Sequence, residues 1–122
     1  MLHTELFVHK LAASIIFYRC LIGKGCADYD EKRAVFKDEG GGALLLTDEA
    51  VLSKNHYFNA MAESSKGKGV ELILPVNDVE MVFNKIHRIY PDCIESEITA
   101  QPWGKIDFRV VDPDGYYVRV TT

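Results

Sequence analysis

The sequence predicts an α+β fold: two β-α-β-β-β modules whose strands form a curved mixed sheet around a cleft. Three observations carry that prediction. Strand-like and helix-like periodicities follow the order strand, helix, three strands, and the order occurs twice. The halves repeat at an offset of about 68 residues, which sets Leu6 on Leu74, Val8 on Val76, Leu11 on Val79 and Ile15 on Phe83. The chain also closes on a hairpin. Two runs rich in β-branched and aromatic residues, 105–111 and 116–121, flank Asp112-Pro113-Asp114-Gly115. Aspartate first, proline second and glycine last describe a type I turn.

Residues 4–9 alternate as a strand, with Leu6 and Val8 on one face and Glu5 and Phe7 on the other. Residues 11–22 have the period of a helix. Leu11, Ile15, Tyr18 and Ile22 lie at three- and four-residue steps, and Gly23 supplies a stop. Short strands are expected at 24–29 and 33–37. Gly40-Gly41-Gly42 breaks the chain, because glycine is entropically costly in a regular element. Residues 43–47 are a short apolar strand.

Residues 48–69 are polar and read as a connector. Helical turns are expected at 49–52 and 57–61, and Ser64-Ser65-Lys66-Gly67-Lys68-Gly69 reads as flexible. A strand at 70–76 opens the second half. A helix at 79–90 follows, with Val79, Val82, Phe83, Ile86 and Ile89 on one face, Asn77 or Asp78 as its cap, and Pro91 just beyond it. Residues 94–100 alternate as a strand before the closing hairpin. The organisation is therefore one domain, with module one at 1–47, the connector at 48–69 and module two at 70–122.

Composition narrows the function classes. The 122-residue chain has a net charge of −4 and no basic run, which argues against nucleic acid or an anionic membrane as partner. No apolar stretch approaches the roughly 20 residues that span a bilayer. The first residues lack the charged-then-apolar layout of a signal segment, so a cytoplasmic location is expected. The cysteines, Cys20, Cys26 and Cys93, are odd in number and form no Cys-x-x-Cys pair, which points to reduced thiols. Cys20 falls in the first helix and reads as a packing thiol. Nothing matches a Ser-His-Asp or Cys-His nucleophile arrangement. The triple glycine lacks the Lys-Ser ending of a phosphate loop.

Leu2-His3-Thr4-Glu5-Leu6-Phe7-Val8, with Ser14 and Phe17-Tyr18 downstream, resembles the opening of glyoxalase I and its relatives. Trp103-Gly104, Phe108 and Asp112-Pro113-Asp114-Gly115 resemble the last hairpin of the same group, the vicinal oxygen chelate superfamily. That superfamily includes glyoxalase I, extradiol dioxygenases, and fosfomycin- and bleomycin-resistance proteins. The resemblance covers nearly the whole chain. It implies the fold far more narrowly than the activity, since one scaffold hosts many chemistries.

In the metal enzymes of that group, ligands come from the first and last strands of each module. The resemblance places His3 and Glu71 at the first-strand positions. Imidazole and carboxylate both bind Zn, Ni, Mn or Fe, so these two are the ligands if a divalent metal is held. Leu45 and Arg119 fall where a glutamate is expected. Leucine cannot ligate, and arginine offers only donors and a permanent charge. The expectation is therefore no metal, with a Glu71–Arg119 ion pair in its place. Arg119 would then present a planar fork to a ligand carboxylate or phosphate.

Glu5 and Phe7 share a strand face with His3, and Tyr117 shares one with Arg119. All are candidates to line the cleft, and ordinary sheet lining is the plainer reading of each. Trp103, the one tryptophan, is a candidate aromatic lid or a subunit-interface anchor. His56 and Asn59 lie in the connector, where a solvated histidine is the plainer reading. The resemblance also implies a homodimer. The function expected is metal-free binding of a small-molecule ligand, as in the bleomycin-resistance branch. The alternative is a metal-dependent lyase, isomerase or dioxygenase acting by Lewis-acid polarisation. A third reading is a regulatory or structural dimer whose cleft is unused.

Overall fold

A computed structural model describes residues 2–60 and 66–122. The first half comprises strand β1 (His3–Val8), helix α1 (Leu11–Ile22), and strands β2 (Asp28–Tyr29), β3 (Arg33–Lys37) and β4 (Ala43–Asp48). The second comprises β5 (Glu71–Pro75), α2 (Val79–Ile89), β6 (Ile94–Ala100), β7 (Ile106–Val111) and β8 (Tyr117–Thr121). Short 3-10 turns occupy Glu49–Val51 and Tyr57–Ala60 in the connector, and Pro91–Cys93 after α2. The expected end of the second turn at Met61, and the Ser64-Ser65 part of the connector, lie outside the described residues.

The strands form two four-stranded mixed sheets, ordered β1-β4-β3-β2 and β5-β8-β7-β6. In each, the first strand pairs in parallel with the last, and the remaining pairs are antiparallel. A parallel pair needs a crossover, and the helix after the first strand provides it. Gly23, at φ 84°, ends α1 and donates its N–H to Arg19 O. Asp78 accepts from Met81 N and caps α2.

Alternation within the strands decides what each helix covers. Leu6, Val8, Ala34, Phe36 and Leu46 from the first sheet and Phe108, Val110, Val118 and Val120 from the second are buried in one continuous core. Helix α1 rests on β3 and β4, α2 rests on β6 and β7, and the helices touch each other. Each sheet therefore carries a helix on its core side, and its other face is free of helix.

Three expectations change. The strand expected at 24–29 shrinks to Asp28–Tyr29, because only those two residues are in regular register with β3, and Ala27 adds a single N–H to Val35 O at 2.7 Å. Helix α1 buries Leu11, Ser14, Phe17, Tyr18 and Leu21, while Ile15 and Ile22 are only partly covered. A helix held between a sheet and a second helix is buried over a wider arc than one stripe. On α2, Ile89 is exposed, because the contact with the sheet ends at Ile86.

The turn joining β7 to β8 fastens the halves together. Tyr18 Oη donates to Asp112 Oδ2 at 2.6 Å inside the core, and His9 N donates to Asp114 Oδ1 at 2.8 Å. Tyr116 Oη donates to Phe7 O at 3.0 Å, and Lys66 Nζ lies 3.5 Å from Asp114 and 3.4 Å from Glu49. Tyr90 packs edge-on against Phe17 at 5.2 Å. Buried polar groups need partners, and Asp112 has three: Tyr18 Oη on Oδ2, and the N–H groups of Asp114 and Tyr116 on Oδ1.

Candidate functional site

On the second sheet, Leu72, Leu74, Phe108, Val110, Val118 and Val120 belong to the core or pack against it. The residues between them therefore point to the helix-free face: Glu71 and Ile73 on β5, Tyr117 and Arg119 on β8, Asp107 and Arg109 on β7. Strand register then decides which of these meet. Glu71 lies beside Tyr117, Ile73 beside Arg119, and Arg109 opposite Arg119.

Glu71 is gripped from two sides. Arg119 Nη2 lies 3.1 Å from its Oε1, and Arg109 Nε donates to its Oε2 at 3.0 Å. The expected Glu71–Arg119 pair is thus present, with a second guanidinium that the sequence reading omitted. Arg109 also reaches Asp107 Oδ1 at 3.4 Å, and Gln101 Nε2 donates to the same oxygen at 2.9 Å. The hydrogen bond that Arg109 donates to Glu71 leads the causes that push its guanidinium above its ordinary value. Asp107 is only 1% exposed, and its Oδ2 has no partner among the described residues; neither has the buried Nε of Arg119. Beside the group, Tyr117 Oη donates to Glu95 Oε2 at 2.6 Å. Burial, followed by that bond, pushes the phenol up to about 12.

The first sheet brings together a different set. Glu5 accepts from Thr47 Oγ1 at 2.7 Å, and Glu5 stands beside Leu45 as Ile73 stands beside Arg119. Leu45 and Arg119 therefore occupy the same place in the two modules. His3, beside Ala43, is exposed. Phe7 meets the connector, with its ring 5.3 Å from Phe58 and 6.1 Å from His56. His56 Nδ1 accepts from Phe58 N, and the Asn59 amide donates to Ser53 O, so both connector side chains hold their own loop in shape.

Among the described residues, no hydrogen bond or ion pair joins the side chains of His3, Glu5 and Phe7 to those of Glu71, Tyr117 and Arg119. Trp103 belongs to neither group. It sits 60% exposed on the β6–β7 loop, which Gly104 (φ 89°) closes by donating to Gln101 O.

Arg109 could have been found from sequence. It is two residues after Asp107 on a strand whose partner carries Arg119, and the hairpin turn fixes their register. That register required Gly115 to be read as a left-handed bulge residue after the type I turn, and it has φ 99°.

Residues 1–120 match the Glyoxalase/Bleomycin resistance protein/Dioxygenase superfamily. The chain belongs to that superfamily. Solved structures of this superfamily's fold resemble it closely. An Agrobacterium tumefaciens protein of unknown function aligns at 24% identity and TM-score 0.77, covering 99% of this chain and 91% of its own. A glyoxalase-related enzyme from Fulvimarina pelagi aligns at 19% and 0.75, covering 99% and 86%. A bleomycin-binding protein complexed with bleomycin aligns at 17% and 0.66, covering 100% and 97%. At these identities the likeness shows the fold alone. No curated protein matches the chain. Within the superfamily, this member carries Leu45 and Arg119 at equivalent places on the last strand of each module.

Proposed function

We propose that the chain is a metal-free small-molecule binding protein of the glyoxalase/bleomycin-resistance type. In this reading the ligand lies against the helix-free sheet faces, and a homodimer closes the cleft. One observation carries the metal-free part: both oxygens of Glu71 are engaged by guanidinium groups, at 3.0 and 3.1 Å. A divalent ion there would have to displace two cations and then face them. The other positions do not fit a metal either. Leu45 has no donor atom, Arg119 has no free lone pair, and His3 leaves the set short of the three or four ligands a stable site needs.

The helix-free sheet faces support the dimer. Each sheet has one face without a helix, and that face needs a second surface to become a pocket wall. A second copy laying its first sheet over the second sheet of its partner supplies that wall twice. The bleomycin-bound relative supports a small-molecule ligand for this fold.

The test is metal analysis of protein purified without chelator, with sedimentation and a thermal-shift screen of small molecules. The expected results are substoichiometric metal, a dimer, and a melting temperature raised by at least one compound. A ligand at a hundred times its Kd adds about 2.7 kcal/mol. Stoichiometric metal that disappears in Glu71→Ala would refute the reading in favour of the metal enzymes.

A further inference from the structure

We infer that Glu71 is a built-in stand-in for a ligand's carboxylate, and that Arg109 and Arg119 form a fork that takes a carboxylate-bearing ligand when Glu71 withdraws. The inference deepens the ligand-binding reading above and rests on it. Its basis is how the group is divided between fixed and movable parts.

The two arginines sit on β7 and β8, the inner strands of their sheet, directly across from each other. Arg109 is held in place from behind by Asp107, which Gln101 fixes in turn. Glu71 is the first residue of an edge strand. It follows exposed Val70 and a turn whose Gly67 and Gly69 both have positive φ. Glu71 is therefore the one member of the three whose strand lies at the edge of the sheet, where a shift of the backbone disturbs only one neighbouring strand. One guanidinium meets each of its oxygens, which is the pattern an incoming carboxylate would need to reproduce.

Charge supports the same reading. Glu71, Asp107, Arg109 and Arg119 sum to zero, and without Glu71 the remainder is +1. The buried Nε–H of Arg119 has no acceptor among the described residues. The surroundings indicate the rest of the ligand. Ile73, 55% exposed, lies beside Arg119 in register, and Tyr117 lies beside Glu71. An apolar ledge next to a cationic fork suits a carboxylate on an aliphatic or aromatic body rather than a bare anion.

The experiment is isothermal titration of the full chain with benzoate, and with benzamide as its neutral isostere. Wild type, Glu71→Gln and Glu71→Gln/Arg119→Gln are compared. Glu71→Gln should bind benzoate about tenfold or more tightly than wild type, the scale of one charge-assisted hydrogen bond. Its benzamide affinity should stay unchanged, and the double variant should lose the gain. No gain for benzoate, or an equal gain for benzamide, overturns the inference. A measurement on wild type guards against a variant that folds badly. Saturating benzoate should move the Nε–H NMR signals of Arg109 and Arg119, and unmoved signals overturn it as well. Sedimentation of the same samples separates the two proposals. A monomer that shows the benzoate gain supports the fork while removing the dimer, and a dimer without the gain removes the fork alone.

Discussion

Tyr18→Phe tests the core of the architecture with the loss of one oxygen atom. Tyr18 Oη donates to Asp112 Oδ2 at 2.6 Å across the two halves, and both residues are buried. The ring stays and packing is preserved, so the penalty is the bond and the acceptor left bare. A hydrogen bond to a charged group contributes roughly 1.5–3 kcal/mol, and burial of the orphaned oxygen favours the upper part of that range. The expected loss is about 2–3 kcal/mol, or roughly 6–12 °C in melting temperature for a chain of this size.

The pH dependence adds a second check. Burial holds the Asp112 carboxyl above its ordinary value, against the pull of Tyr18 and of the N–H groups of Tyr116 and Asp114. A carboxyl raised in the folded state contributes stability that is fully present below its unfolded pKa and is lost as pH rises through its folded one. Deleting the phenol removes one of the groups pulling the carboxyl down, so the penalty of Tyr18→Phe should be larger at pH 7 than near pH 4. Urea unfolding followed by circular dichroism, at one fixed protein concentration, measures both. A penalty under about 0.5 kcal/mol, or one equal at both pH values, would refute the reasoning, since a bond that favours a charged acceptor must matter most when the acceptor is charged.

Other outcomes follow from single contacts. Gly67→Ala should cost more than Gly69→Ala although both glycines have positive φ, because a Cβ at 67 would meet Gly115 O and Tyr116 Cα at 2.9 Å and a Cβ at 69 meets nothing within 4 Å. We expect about 1 kcal/mol at 69, the strain of a left-handed alanine alone, and 2 kcal/mol or more at 67, roughly, read by urea unfolding. Tyr117 should ionise only near 12 in a spectrophotometric titration, and Glu95→Gln should bring that step down by removing the negative acceptor.

The strand faces and the Glu71–Arg119 contact could be read from sequence for one reason: side chains alternate with a period of two, so parity sets Leu6 and Val8 on one side and Glu71 and Arg119 on the other. The Glu71–Arg119 pair followed from parity and the resemblance. Arg109 did not, because its place depends on a bulge at Gly115 that shifts the hairpin register by one residue. The strand at 24–29 failed for a related reason. β-propensity describes a residue's fit to a sheet, and the regular register with β3 stops at Asp28. Packing between halves was beyond local pattern altogether. The burial of Ser14 depends on the β7–β8 turn of the other half, where Asp114 accepts from its hydroxyl at 3.4 Å, a contact no window of sequence contains. The roles of His56 and Asn59 were hidden likewise, since both are set by loop contacts.

The bends at Asp38 and Asp112 are siblings. Each aspartate accepts from the N–H four residues on, that of Gly42 at 2.9 Å and that of Tyr116 at 2.9 Å, and each donates its own N–H to the carbonyl of that same residue. Among the described residues, the later sibling alone also holds the opposite half, through Tyr18 and His9. The same bend thus has unequal weight in the two halves: residues inserted between Asp38 and Gly42 would lengthen a solvent-facing tip, whereas the same insertion after Asp112 would prise the two repeats apart.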